Sequence, residues 1–167
     1  MIRSGGPRQR VISALAAAAV LTALWGCAGK PPPAPKADKP PPELRAEVIA
    51  APNANRDPTG RVLPIVVRLY ELKAEGSFAG ADFFSLYDKE AATLGGTLIA
   101  REEVTLVPGQ RRLVVLPLSP EATHLGVVGA FNDLDRAGWR ALEVLKPAQN
   151  NTVQVDVGAS AITAQQR

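Results

Sequence analysis

Seven of the fifteen residues in the run AGKPPPAPKADKPPP, residues 28–42, are proline, and none is a bulky apolar residue. Proline fixes φ and removes the backbone donor, so such a run can join neither a helix interior nor a central strand. It has almost no apolar surface to bury and tends towards extended polyproline II. The 167-residue chain is therefore cut in two, and whatever precedes residue 28 is separate from whatever folds after residue 42. At about 3.1 Å per residue the run reaches roughly 45 Å, which suits a spacer. The same composition can serve as a proline-rich ligand for an SH3-like domain, but the leader in front of it favours the spacer.

Residues 1–27 read MIRSGGPRQRVISALAAAAVLTALWGC. Arg3, Arg8 and Arg10 make a basic start, and the 15 residues 11–25 carry no charge. This is the n-region and h-region of a secretory signal, and the apolar run is shorter than the roughly 20 residues of a membrane span. It ends at Leu24-Trp25-Gly26-Cys27, where the only Cys of the chain stands. The ending resembles a bacterial lipobox, with Leu three residues before Cys and a small residue directly before it. Trp25 departs from the small or β-branched residue usual at its position. The resemblance implies a lipoprotein signal peptide over 1–26, cleavage before Cys27, diacylglycerol in thioether linkage to Cys27 and an acyl chain on its amine. Each buried CH₂ contributes about 0.8 kcal/mol, and two or more chains anchor stably where one does not. Ala28, where an Asp would imply retention in the inner membrane, implies the outer membrane. The alternative is an ordinary secretory peptide with an incidental Cys.

Cleavage also removes the apparent basicity. Lys and Arg number 19 against 16 Asp and Glu, a formal +3, and Arg3, Arg8 and Arg10 account for all of it. The mature chain is formally neutral, so a nucleic-acid partner, which needs clustered positive charge, is not indicated.

Residues 27–43 form the lipidated Cys and tether, 44–161 the folded domain and 162–167 a C-terminal tail. Leu44, Ala46, Val48 and Ala50 alternate with Arg45 and Glu47, which predicts a strand. Residues 52–64 are dense in turn formers, and the β-branched and aromatic run 65–72 (IVVRLYEL) predicts a second strand. Phe78, Ala81, Phe84 and Leu86 or Tyr87 recur at intervals of three and four. A helix is expected over about 81–94, with a break near Asp88 and a stop at Gly95-Gly96. Apolar runs at 97–107, 112–118, 124–132 and 152–157 predict further strands, with an extra one at 140–145. Pro108-Gly109 predicts a hairpin between the first two of these. Short strands at this spacing favour a β-sandwich, with the helix inserted between early strands.

Little catalytic chemistry is left. One Cys and one His exclude an intramolecular disulfide and Cys- or His-rich metal clusters, and no phosphate-cradling glycine loop is present. His124 lies in an apolar strand without a G-x-S-x-G elbow and reads as structural. Asp133 and Asp135 lack the other ligands of a Ca²⁺ loop and read as turn carboxylates. Glu102 and Glu103, adjacent in a strand, face opposite ways and cannot form a close acid/base pair, and Arg111 and Arg112 read as solvated. Phe78, Phe83, Phe84, Tyr87 and Trp139 could line a groove, but packing of the helix onto the sheet is the better reading. The chain is not expected to be an enzyme, and no metal or cofactor is expected beyond the lipid on Cys27.

Several stretches, taken in order, resemble the type VI secretion outer-membrane lipoprotein family, TssJ (SciN/VasD). They are NRDPTGR (55–61) with Pro64, IVVRLYEL (65–72), Phe78, ADFFSLY (81–87), Leu94-Gly95, Val107-Pro108-Gly109, GVVGAF (126–131) and Trp139-Arg140. They cover about 44–157. The resemblance implies a mainly β, two-sheet transthyretin-like β-sandwich with a small helical insertion between early strands. It also implies an outer-membrane lipoprotein on the periplasmic face that binds the periplasmic C-terminal part of TssM and, with TssL, builds an envelope-spanning complex. The family's contact region for TssM is the loop between the first two strands. Here it gives Asn53, Asn55, Arg56, Asp57, Thr59, Gly60 and Arg61 as candidate contacts. A periplasmic ligand-binding or carrier lipoprotein on the same sandwich is the alternative.

Overall fold

The computed structural model describes residues 40–167. Cys27, the signal peptide and most of the spacer lie outside the described residues. Strands β1 (Glu43–Ala50) and β2 (Ile65–Leu72) are followed by short helices α1 (Gly76–Gly80), α2 (Phe83–Asp88) and α3 (Glu90–Leu94). Then come β3 (Leu98–Leu106), β4 (Arg111–Pro117), β5 (His124–Gly129), β6 (Arg140–Val144), β7 (Asn151–Val157) and β8 (Ile162–Gln166). The strands form two four-stranded sheets, in the orders β4-β1-β7-β8 and β3-β2-β5-β6. All neighbours are antiparallel except β1 and β7. This is the expected two-sheet sandwich.

The alternation read in β1 places Leu44, Ala46, Val48 and Ala50 inward, all fully or almost fully buried. They meet Val153, Val155 and Val157 of β7 and, from the facing sheet, Ile65, Val67, Leu69, Leu125 and Val127, in one core. The opposite face of the second sheet is covered as well. Tyr70, Leu72 and Val128 are buried beneath Phe78, Phe83, Leu86 and Leu94 of the helices, which explains why β2 reads as an almost continuous apolar run. Gly126 makes this fit possible, since a Cβ there would stand 2.7 Å from two ring atoms of Phe78.

The helices are too short to be stable alone, and polar ties hold them to the sheet. The Asp82 side chain caps α2, accepting from the Ser85 amide at 2.9 Å. The expected break falls at Lys89, between α2 and α3, and Gly95, at φ +51°, ends α3. Arg140 donates to the carbonyls of Phe78 and Ala81 at 2.9 and 2.8 Å. Arg68 lies over the Tyr87 ring at 3.7 Å and pairs with Glu103 at 2.7 Å.

Two expectations are corrected. β3 and β4 form no hairpin, because they belong to different sheets. The Gly109 amide donates to the carbonyls of Ala50 and Ala51 at 3.0 and 3.2 Å, so the Pro108-Gly109 turn docks on the end of β1 and delivers β4 to β1's sheet. Residues 162–167 are also not a tail. Ile162–Gln166 is a full strand paired with β7, with Ile162 in the core.

The chain enters the domain beside the end of β4, where the Leu118 amide donates to the Pro42 carbonyl at 2.7 Å. From there β1 runs eight residues to the opposite end, roughly 25 Å away at about 3.3 Å per residue. The loop that follows β1 therefore stands at the end of the sandwich opposite Pro42.

Candidate partner-binding site

The connection between β1 and β2, residues 51–64, is a loop whose own polar side chains consume one another. Asp57 opens a turn in which Pro58 takes the second position. Its Oδ1 accepts from the Thr59 amide at 2.9 Å, the Thr59 hydroxyl at 2.7 Å and the Arg61 amide at 2.9 Å. Its Oδ2 accepts from Arg61 Nε at 2.8 Å. Gly60, at φ +87°, lets the chain reverse so that Arg56 and Val62 form an antiparallel bridge. Here glycine is needed because a Cβ is disfavoured at that φ.

These bonds lower the Asp57 pKa to about 2, with the Thr59 hydroxyl the largest cause and the Arg61 contacts adding to it against the opposing effect of burial. The folded-state value lies below the unfolded one, so the stabilisation is complete above about pH 4 and is lost as pH falls towards 2. The gap in melting temperature between wild type and Asp57→Asn is therefore expected to be constant from pH 7 to about 4 and to narrow below it. A gap that stays constant down to pH 2 would contradict the loop chemistry. Carboxylates elsewhere are shared by both proteins and cancel in the difference.

Asn55 joins this loop to its neighbours. It is 4% exposed and adopts φ +49°, where Asn is among the better-tolerated non-glycine residues. Its Nδ2 donates to the Pro64 carbonyl at 2.8 Å, and its Oδ1 accepts from the Asn132 amide at 2.7 Å in the connection between β5 and β6. The amides of Asn55 and Arg56 donate to Gly158 and Ala159, between β7 and β8, at 3.1 and 2.9 Å.

Of the seven residues named from the sequence, Asn53, Arg56, Thr59, Gly60 and Arg61 are exposed, whereas Asn55 and Asp57 are buried and internally bonded. The sequence reading missed Val62 and Val107, exposed by 41% and 53% at this end of the sandwich. The apolar pair Val62-Leu63 between Gly60-Arg61 and Pro64 was the available signal for Val62.

The residues considered for chemistry serve structure. Thr123 gives its single hydroxyl proton to the Lys73 carbonyl at 2.7 Å, so in its 2.7 Å contact with His124 Nδ1 the imidazole is the donor. Asp133 pairs with Arg136 at 3.1 Å. Glu103 meets Arg68 on the helix-covered face, opposite to Glu102. Phe78, Phe83, Tyr87 and Trp139 pack the helices, while Phe84 remains 62% exposed. Among the described residues no group of three or more His, Cys, Asp or Glu could hold a metal ion, and no helix is long and apolar enough to cross a membrane.

Residues 42–160 match the profile of the type VI secretion lipoprotein family that includes VasD, EvfM and TssJ. The chain belongs to this family. Its structure is similar to the crystal structure of the type VI secretion lipoprotein TssJ1 from Pseudomonas aeruginosa. The identity is 38% and the TM-score 0.73, over 77% of this chain and 98% of that one. It is also similar, at 29% identity and TM-score 0.64, to a chain of a type VI membrane complex, covering 76% of this chain and 99% of that one. A chain in a structure of the TssM C-terminal domain from EAEC is similar at 29% identity and TM-score 0.61, covering 74% and 97%. No curated protein sequence matches the chain. As a type VI secretion lipoprotein, the protein carries its candidate contact loop on a rigid sandwich, with the loop's polar core internally satisfied and its rim free.

Proposed function

We propose that the protein is a lipid-anchored assembly component of the type VI secretion membrane complex, tethered through Cys27 to the periplasmic face of the outer membrane. Its β1–β2 loop binds the periplasmic C-terminal part of TssM, and with TssL the two build the envelope-spanning complex. The observation that carries this reading is the position of the loop. It stands at the end of the sandwich opposite the Pro42 entry, the end farther along the chain from the lipidated Cys27. Rigid scaffolds commonly present recognition loops in this way. Similarity to chains in a type VI membrane complex and in a TssM C-terminal domain structure supports the choice of partner.

Cys27→Ser cannot take the thioether-linked lipid and is expected to leave the domain folded, with an unchanged melting temperature, while the protein is lost from the outer-membrane fraction. Membrane fractionation equal to wild type would overturn the anchoring claim. Calorimetric titration of the mature chain with the periplasmic C-terminal part of TssM should give a saturable heat, and no binding at micromolar concentrations would overturn the partner.

A further inference from the structure

The β1–β2 loop is not an independent element. We infer that the partner-binding face is composite, built from the β1–β2 loop, the β3–β4 turn and the β5–β6 loop, and that it fits an apolar patch with an acidic rim. This rests on the proposed TssM contact and deepens it. Four observations carry it. Asn55 bonds to Pro64 on one side and to the Asn132 amide on the other, so the first and third segments move as one. The Gly109 amide binds the carbonyls of Ala50 and Ala51, which fixes the β3–β4 turn to the start of the same loop. Two apolar side chains stand out at this end, Val62 and Val107, both well exposed.

The fourth observation is charge. Arg61 and Arg136 have side chains 74% and 75% exposed, and Arg56 is exposed as well. The acids beside them are withdrawn. The Asp57 side chain is 4% exposed and that of Asp133 25%, each bonded to one of these arginines, which leaves Asp135 as the exposed carboxylate among the described residues of these segments. A domain in which 13 basic residues face 15 acidic ones over 43–167 thus turns three guanidinium groups outward at the end that exposes two valines. Clustered charge of this kind steers association with an acidic surface, and apolar side chains inside a polar rim supply the desolvated centre.

The test compares four mature proteins binding the periplasmic C-terminal part of TssM, with affinity read by calorimetry at low and physiological salt. They are wild type, Val62→Asp in the β1–β2 loop, Arg136→Glu in the β5–β6 loop and Val144→Asp. Val144 is 63% exposed on β6 at the tether end and serves as the control. Val62→Asp and Arg136→Glu are each expected to weaken binding about tenfold or more, and Val144→Asp to stay within about twofold of wild type. Arg136→Glu should also flatten the salt dependence. If its lost pairing with Asp133 lowers the melting temperature, Arg136→Gln, which removes charge without adding repulsion, should still weaken binding severalfold. Wild-type affinity in the Arg136 variants with weak binding by Val62→Asp would overturn the composite face and leave the single-loop reading intact. Wild-type affinity in all three variants would overturn both. Absence of binding by wild type would remove the partner itself.

Discussion

Phe78→Ala is expected to destabilise the domain by about 3–5 kcal/mol, the cost typical of truncating a buried aromatic ring, and to lower Tm by roughly 10 °C or more. Phe78 is fully buried, lies 5.7 Å from the Tyr70 ring, and fills the space over Gly126. No neighbouring backbone can collapse into the void, because β2 and β5 beneath it are held by both sheet ladders and the main core. The three helices have five, six and five residues, so they depend on this cluster rather than on their own hydrogen bonds. Hydrogen exchange should report the loss first at residues 76–97, with β1 and β7 protected until global unfolding. Thermal unfolding of the variant gives the check, and a cost below about 1 kcal/mol would mean that the helical layer does not rest on Phe78.

What the sequence disclosed and what it hid follow one physical division. Elements that bury a regular pattern were legible: the alternation of β1 records one buried face and the apolar run of β2 records two. The spacing over 81–94 disclosed helices but not their buried face, since Phe83 and not Phe84 is covered. The break at Lys89 and the stop at Gly95 were legible because they are backbone events. The partner of a strand was not. Pro108-Gly109 makes a turn whether the chain returns to the same sheet or crosses to the facing one, and the deciding bonds, from the Gly109 amide to Ala50 and Ala51, join residues distant in sequence. β8 was invisible for a related reason: Ile162 alone gives it an apolar mark, and its pairing with β7 makes it a strand.

The candidate site shows the same division more sharply. Turn-forming residues mark a loop, and a loop at that place matches the family, so its location was legible. Which residues face outward was not. Asn and Asp favour turns because their side chains bind nearby backbone, and that use withdraws Asn55 and Asp57 from any partner. The residues left at the rim, Arg56, Arg61 and Val62, are exposed because the buried ones hold the loop in shape. A wholesale exchange of 53–60 for glycine and serine would therefore remove the supports together with the surface. Single substitutions at the rim separate binding from folding.

Asn55→Ala is accordingly expected to damage both. The side chain's two hydrogen bonds disappear, leaving the Pro64 carbonyl and the Asn132 amide without their partner, at about 1–3 kcal/mol for an unsatisfied buried group. Alanine must also adopt φ +49°, which adds about 1–2 kcal/mol. Asn55→Gly separates the two effects, since it loses the same bonds but takes that φ freely. The expected order of melting temperature is wild type, then Gly, then Ala, and equal values for Gly and Ala would show that the backbone there is unstrained. Binding carries the second half of the argument. A loop ordered for only part of the time binds more weakly in proportion to that fraction, so Asn55→Gly should slow association with TssM below the melting transition, where the sandwich remains folded. A variant that merely lowered global stability would associate at the wild-type rate at such temperatures. Wild-type association kinetics for Asn55→Gly would confine Asn55 to folding, and slowed association would make it the residue that positions the binding face.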